Sequence, residues 1–143
     1  MPNTISRASV EGLNRANIGK LPEHLGLEVI EVAPGKVAGR FEVREDLVAH
    51  TGYLLAGVVL SVADILCAYG VDTVWPEGAS GFTTVEVKCN FMGTLTKGAG
   101  VCTAELLHGG RTTQVWDAQF RDEATGKLLA AFRCTQIILY PRP

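Results

Sequence analysis

The chain has 143 residues, of which 47% are hydrophobic, and its formal net charge is −2. A chain of this length can fold as one domain around its own core, without disulfides or a structural metal. The small negative charge excludes the strongly basic surface of a nucleic-acid or anionic-membrane binder. The generous apolar fraction indicates that some surface is buried in an oligomer.

Four cysteines are spread along the chain without the paired spacing of a metal site: Cys67, Cys89, Cys102 and Cys134. We therefore expect free, buried thiols in a reducing compartment, and neither a metal ion nor a disulfide. The polar N-terminal residues lack the pattern of a signal peptide, so the expected location is cytoplasmic.

The first predicted elements are a helix and a hairpin. Apolar residues recur among polar ones over about residues 5–18, which predicts an amphipathic helix within the stretch 1–19. Two strand-like runs, 27–32 and 37–44, lie on either side of a Pro-Gly turn and predict a β-hairpin.

Residues 54–71 are apolar nearly all round and contain one carboxylate, Asp64. A segment of this length and character is either a membrane span or a buried core helix. The core helix is favoured, because amphipathic strands flank the segment and a carboxylate in its middle would cost about 2.5–3.5 kcal/mol in a bilayer.

Four strand-like runs with alternating apolar residues and short glycine-containing turns follow residue 80, which predicts an antiparallel meander. A half-apolar sheet and an all-apolar helix bury each other most completely when the sheet wraps the helix. The sequence therefore predicts one α+β domain over residues 1–143, with a core of residues 20–143 behind the N-terminal helix.

Asp64 is the candidate functional residue that the pattern singles out. Its helical face carries mostly small residues, which allows another helix, a second subunit or a ligand to approach closely. A structural role, in which Asp64 accepts backbone hydrogen bonds, competes with a role as general base or nucleophile. Small residues at the helix start, Gly52, Ala56 and Gly57, leave free backbone N–H groups accessible to an anion or a carbonyl oxygen.

Residues 52–57 (GYLLAG) and 62–64 (VAD), followed by the run 81–92 (GFTTVEVKCNFM), resemble the PaaI-like branch of hotdog-fold acyl-CoA thioesterases. That branch carries the pattern N-x-x-G-x-x-H-G-G-x-x-x-x-L-A-D. The resemblance covers about residues 20–140, and it implies a hotdog fold, in which an antiparallel sheet wraps a long central helix.

The resemblance also implies roles for individual residues. Asp64 matches the catalytic carboxylate, and Ala56 and Gly57 match the helix start at which a backbone N–H holds the oxyanion. Gly52 matches the first glycine of the pattern. Thr84, with Thr83 next, matches the hydroxyl that places the attacking water.

Two positions depart from the pattern, because Leu55 replaces its histidine and Ala49 replaces its asparagine. His50, one residue from Ala49, is a candidate substitute and is otherwise an exposed loop histidine. Arg111 and Thr112 are candidate CoA contacts, with an ordinary hairpin turn as the alternative. The resemblance further implies a homodimer or a dimer of dimers with active sites at the subunit interface.

The function predicted from these features is hydrolysis of an acyl-CoA or aryl-CoA thioester, with no cofactor beyond the CoA of the substrate. A non-catalytic acyl-CoA-binding protein is the first alternative, because Leu55 and Ala49 alter the usual site. A hydratase of the same fold is the third hypothesis, but the sequence lacks the paired Asp and His motif expected of such an enzyme.

Overall fold

The computed structural model describes residues 2–143, which form an α+β arrangement. In chain order the elements are β1 (Thr4–Ile5), α1 (Val10–Ala16), α2 (Leu21–His24), β2 (Glu28–Ala33), β3 (Lys36–Glu42), α3 (Ala56–Thr73), β4 (Trp75–Pro76), β5 (Gly81–Phe91), β6 (Ala99–Gly109), β7 (Thr113–Asp122) and β8 (Leu128–Leu139). A 3₁₀ turn, Glu45–Leu47, leads from the hairpin towards α3.

Six strands form one antiparallel sheet in the order β2-β3-β6-β7-β8-β5, and α3 packs across one face of it. The side chains of Val62, Leu66 and Val71 have no exposed surface. Gly70 lets the helix approach the sheet closely, because a Cβ atom there would lie 2.5 Å from the ring of Trp116. The predicted α+β fold, a long apolar helix packed against an antiparallel sheet, is confirmed.

The helix α3 is long and apolar enough to cross a membrane by length and composition, with a mean hydropathy of 1.5. Half of its residues are buried inside the protein, against the sheet. Burial of one large aliphatic side chain stabilises a fold by about 1.5–3 kcal/mol. The apolar composition of α3 is therefore accounted for by its place in the core.

The prediction of a four-strand meander is wrong for β5. Strands β6, β7 and β8 are consecutive neighbours, but β5 pairs with β8 at the far edge of the sheet. The reason is that β3 occupies the place beside β6, with seven paired residues from Lys36↔Glu105 to Glu42↔Ala99. The chain from Met92 to Gly98 therefore crosses from the sheet edge at β5 past β8 and β7 to β6 in the middle of the sheet.

The N-terminal helix is shorter than residues 5–18. It begins at Val10 because the hydroxyl of Ser9 accepts a hydrogen bond from the N–H of Gly12 and caps it. Before that cap, Thr4 and Ile5 pair with the two residues of β4, an association that the sequence did not reveal.

The two edges of the sheet differ in how they are covered. At β2, the side chain of Asn14 donates to the carbonyl of Val29 (2.9 Å) and accepts from its N–H (2.8 Å). At β5, an 11-residue strand presents Val85 and Val87 largely exposed. A long apolar edge strand is a ready template for pairing with another chain.

Candidate active site

Asp64 lies near the middle of α3, on a helix face that the sheet leaves uncovered. Gly57, Ser61, Asp64 and Ala68, which follow one another at spacings of three and four, share this face, and none of them is fully buried. The opposite face holds the large aliphatic side chains against the sheet. The small residues around Asp64 therefore form an accessible surface in the structure.

The carboxylate of Asp64 is poorly solvated and unpartnered. Its Oδ1 atom is buried and has no hydrogen-bond partner among residues 2–143. Burial raises the pKa of Asp64 above its ordinary value, because desolvation disfavours the charged form. A carboxylate that lacks donors and has a raised pKa is a better proton acceptor than a solvated one.

A cavity of 150 Å³ adjoins Asp64 and is bounded by Leu60 and Ser61 of α3 and by Val87 of β5. The hydroxyl of Ser61 donates to the carbonyl of Gly57 (2.7 Å), so this side chain is held against its own helix. One water takes up about 30 Å³ in the liquid, so the cavity has room for a water beside the carboxylate.

The N-terminus of α3 offers two free backbone donors. Its N-cap residue is Leu55, whose side chain caps nothing, and the N–H groups of Ala56 and Gly57 have no acceptor within residues 2–143. A Cβ atom on Gly57 would meet only the Leu55 side chain, at 3.8 Å, so the approach to this donor is open. Free N–H groups at a helix start stabilise negative charge.

Backbone hydrogen bonds fix the loop that leads into this helix start. The N–H of Leu54 donates to the carbonyl of Leu95 (2.9 Å), and the N–H of Leu55 donates to that of Leu47 (3.0 Å). Gly52 has a φ of +91°, a conformation that other residues adopt only with strain, and its N–H donates to Ala49 (2.9 Å). The free donors therefore sit on a fixed turn.

An apolar groove of 360 Å³ begins at the same helix start. It is lined by residues from the loop, the first turn of α3, the end of β5 and the segment after it, β7 and β8: Ala49, Thr51, Tyr53, Leu54, Leu55, Ala56, Val59, Phe91, Gly93, Thr94, Phe120 and Ala130. These residues include none with a charged side chain.

Within one chain, the carboxylate and the two donors lie about two helical turns apart. Asp64 follows Ala56 and Gly57 by eight and seven residues, which is about 10–12 Å along a helix axis. Reacting groups must approach within about 3–3.5 Å. One chain thus carries both parts of a site at separate places on α3.

Thr84 lies on the sheet face that α3 covers, and Thr83 does not. The hydroxyl of Thr84 donates to the side chain of Gln136, which is fully buried (2.8 Å). Because side chains alternate along a strand, Thr83 points to the other face. Neither threonine lines the cavity beside Asp64; that place on β5 belongs to Val87.

His50 is exposed and lies outside the groove, although its neighbours Ala49 and Thr51 both line it. Arg111 and Thr112 lie in the turn between β6 and β7, where the guanidinium of Arg111 stacks 4.7 Å from the centre of the Tyr140 ring. This turn is at the end of the sheet where α3 finishes, since β7 begins opposite Ile137 and the Gln114 side chain reaches the carbonyl of Val74. The structure therefore does not bring Arg111 and Thr112 to the free donors of the same chain, and His50 is not among the residues that line the groove.

The sequence pattern did not single out the strand residues that line the cavity and the groove, among them Val87 and Phe91 of β5. Val87 and Phe91 carry no chemistry of their own, and only their place in the sheet brings them to the site. A β-bulge between Thr84 and Glu86 changes which residues of β5 face the helix, and no turn residue marks it.

Comparison with known proteins finds relatives that match most of this chain. The family model of the thioesterase superfamily matches residues 51–129. The chain is 34% identical over 116 residues to a 1,4-dihydroxy-2-naphthoyl-CoA hydrolase of Listeria monocytogenes, a match that covers 80% of this chain and 92% of that protein. It is 28% identical over 111 residues to human acyl-coenzyme A thioesterase 13, covering 77% and 78% of the two chains.

Among solved structures, a mutant thioesterase of Pseudomonas aeruginosa superposes with a TM-score of 0.88, over 96% of this chain and 98% of that one. The sequence identity to that protein is 22%, so the likeness is one of fold. The expected hotdog architecture, with a sheet packed around the central helix, is confirmed by this superposition.

Proposed function

The chain belongs to the thioesterase superfamily, and from that premise we propose that it hydrolyses acyl-CoA thioesters with Asp64 as general base. Thioester hydrolysis is the chemistry of the family, and the enzyme class predicted from the sequence is confirmed. The role of each residue and the identity of the acyl group are the parts that we propose.

The observation that carries the proposal is the unpartnered carboxylate. Desolvation of Asp64 costs free energy in the folded state, and the described residues do not offset this cost with a hydrogen bond. A purely structural carboxylate would be expected to accept backbone hydrogen bonds. The free Oδ1 and the adjoining cavity instead suit a water held beside the carboxylate.

The proposed reaction uses two kinds of group from the protein, a carboxylate and backbone N–H donors. Asp64 accepts a proton from water as the water oxygen bonds to the thioester carbon, and the carbonyl oxygen becomes an oxyanion. The free N–H groups of Ala56 and Gly57 stabilise that oxyanion, which is typically worth 10²–10³ in kcat per donor. The carbon–sulfur bond then breaks, and the CoA thiolate takes up the proton to leave free acid and CoA.

We further propose that each site is shared between two copies of the chain. The 10–12 Å between Asp64 and the helix start along one helix axis favours a carbonyl that reaches the carboxylate of one chain and the donors of another. Two α3 helices that pack antiparallel on their open faces, with Ser61 near the two-fold axis, place Asp64 of one copy opposite the helix start of the other. The uncovered β5 edge and the small residues of the open face support this association.

The roles of Thr84, Thr83, His50, Arg111 and Thr112 stay predictions. In this scheme their contribution depends on the second copy, because none of the five lines the cavity or the groove of its own chain. The side chains of Leu55 and Ala49 supply no polar group at the site, so the scheme gives the catalytic work to Asp64 and to backbone donors.

The test is a steady-state assay of short, medium and aromatic acyl-CoAs with the wild-type protein and Asp64→Asn. Asparagine keeps the shape of the side chain and cannot accept the proton, so we expect kcat to fall by about 10²–10⁴. Asp72→Asn, the same substitution at the other half-buried carboxylate of α3, is the matched control, with an expected change below about threefold. Unchanged turnover in Asp64→Asn would exclude the carboxylate mechanism.

Two further measurements separate the alternatives. Calorimetric binding of acyl-CoA without any hydrolysis would favour the non-catalytic binding protein. A single turnover in ¹⁸O-labelled water tests for a nucleophile, because water that opens an Asp64–acyl anhydride at the Asp64 carbonyl leaves an unlabelled Asp64 oxygen in the first product and the label in Asp64. A general-base mechanism predicts that the first product carries the solvent label.

A further inference from the structure

The apolar groove at the start of α3 is a separate space from the cavity beside Asp64. The cavity holds 150 Å³ and the groove 360 Å³, and only the groove reaches the size of small-ligand clefts, about 300–1,000 Å³. Ala56 and Val59 line the groove, whereas Leu60, Ser61 and Asp64 line the cavity. At 100° per residue Val59 and Ser61 lie about 160° apart, so the two spaces extend to different sides of α3, although Ala56 and Leu60 are neighbours on its surface.

Ala56 connects the groove to the proposed chemistry. Its side chain lines the groove, and its N–H is one of the two free donors. A thioester carbonyl bound to that N–H therefore has the groove directly beside it. The acyl chain and the CoA sulfur both adjoin the carbonyl, and the acyl chain is the part that can be wholly apolar, like most of the groove lining.

The lining of the groove limits what this acyl group can be. Its walls are mostly aliphatic and aromatic, with Tyr53, Leu55 and Phe91 at the half-exposed rim and Phe120 and Ala130 at the buried floor. The polar side chains are neutral: Thr51, Thr94 and the Tyr53 hydroxyl. An acyl group with a charged end would lose its hydration there and gain no countercharge.

Leu55 borders both the groove and the donors. It lines the groove, and its Cδ2 atom lies 3.8 Å from the position of a Cβ on Gly57. An apolar side chain here extends the groove wall as far as the carbonyl site. A polar N-cap residue would instead present its own oxygen to the N–H groups of the first turn.

From these observations we propose that the groove binds the acyl group of the substrate and selects uncharged, apolar acyl groups, with Leu55 and Phe91 as the residues that determine this specificity. The inference rests on the proposed hydrolysis of acyl-CoA and adds the class of acyl group to it. An acyl group with a terminal carboxylate is a poor substrate on this account.

The test compares wild-type kcat/KM for acetyl-, butyryl-, hexanoyl- and adipoyl-CoA, the last of which has six carbons like hexanoyl-CoA but ends in a carboxylate. Each methylene that enters the groove should raise kcat/KM by up to about fourfold. The kcat/KM for hexanoyl-CoA should exceed that for adipoyl-CoA by at least about tenfold.

Two variants at one half-exposed position then probe the groove itself. Phe91→Ala should lower kcat/KM for hexanoyl-CoA by about tenfold more than for acetyl-CoA, because the longer chain loses more contact. Phe91→Lys should shift the adipoyl-to-hexanoyl ratio towards adipoyl by at least about tenfold. Leu107→Ala is the matched control, an exposed leucine on β6 that lies outside the groove, and it should leave both ratios unchanged.

The outcomes separate this inference from the proposed function. If the wild type hydrolyses acyl-CoAs but the ratios do not respond to the Phe91 variants, the groove is not the acyl site and the hydrolysis proposal stands. If no acyl-CoA is hydrolysed, the hydrolysis proposal fails. Calorimetric binding of hexanoyl- and adipoyl-CoA to the wild type and to Phe91→Lys then tests the inference. A shift of the affinity ratio towards adipoyl-CoA in Phe91→Lys supports it, and the same ratio in both proteins overturns it.

Discussion

The two faces of α3 have opposite characters although they share one backbone. The face on the sheet buries Val62, Leu66 and Val71 completely, and glycine at position 70 brings it against Trp116. The other face carries small residues and one carboxylate whose Oδ1 has no hydrogen bond among residues 2–143. The first face gains stability from burial, whereas the second gives up some stability to keep polar groups free.

This contrast predicts that substitutions on the two faces separate stability from activity. A change on the sheet face should unfold the protein before it alters the chemistry. A change on the open face should alter the chemistry and leave the fold as stable as before, or more stable. The following variants, in order of decreasing effect, measure that separation.

Leu66→Ala removes a fully buried side chain from the sheet face, where its Cδ2 packs over Gly39 of β3. We expect the free energy of unfolding to fall by about 2–5 kcal/mol, from lost burial and the cavity that remains. Denaturant unfolding followed by circular dichroism measures this. Under conditions in which the variant is folded, kcat should stay within about threefold of wild type; a hundredfold loss in the folded variant would contradict the division of roles.

Ala56→Pro removes one of the two free N–H donors without straining the helix. Proline is favoured at the first helical position, and Leu55 before it has the extended backbone that a following proline requires (φ −64°, ψ 129°). We expect kcat to fall by about 10²–10³, a transition-state loss of about 3–4 kcal/mol, with unfolding free energy unchanged within about 1 kcal/mol.

Ala56→Val is the control for the proline variant, because it adds similar bulk to the groove and keeps the N–H. Its kcat should exceed that of Ala56→Pro by at least about tenfold. Equal losses in the two variants would mean that bulk, and not the missing donor, causes the effect.

Asp64→Asn removes the desolvated charge and should stabilise the fold at neutral pH by about 1 kcal/mol. The pKa of Asp64 is raised in the folded state, so the folded protein binds the proton more tightly and wild-type stability falls as the pH rises through the window above the unfolded value of about 3.9. The gain from asparagine should therefore be present at pH 7 and vanish near pH 3.

Thermal unfolding of both proteins between pH 3 and pH 7 measures this difference. A variant that is less stable than the wild type at pH 7 would show that the carboxylate is held by stabilising contacts, as a structural role requires. In the wild-type enzyme, activity should fall on the acid side with an apparent pKa above the ordinary aspartate value, since the base must be ionised.

The sequence predicted the part of the site that lies on one helix. A carboxylate in an apolar segment and small residues at the start of that segment are visible as a linear pattern, and α3 begins and ends within two residues of the predicted bounds. The hairpin β2–β3 was equally visible, because its Pro-Gly turn separates two alternating runs.

The parts of the site that depend on strand placement could not be predicted from the pattern. Regular alternation along β5 would put Thr84 on the opposite face from Val87, and the bulge between Thr84 and Glu86 turns both towards α3. The groove joins Tyr53, Phe91 and Ala130, which are far apart in sequence and meet only because β5 crosses to the edge beside β8. Such contacts follow from topology, which local periodicity does not encode.

The central claim is that one active site takes its carboxylate and its oxyanion donors from two copies of the chain. The most direct test mixes Asp64→Asn with Ala56→Pro by co-expression of differently tagged chains, followed by isolation of the species that carries both tags. Each such dimer contains one site with both functional groups intact and one site that lacks the carboxylate and one of its two donors, so we expect about half of the wild-type kcat per dimer. If the mixed species is no more active than either parent variant, both groups act within a single chain and the account of a shared site is contradicted.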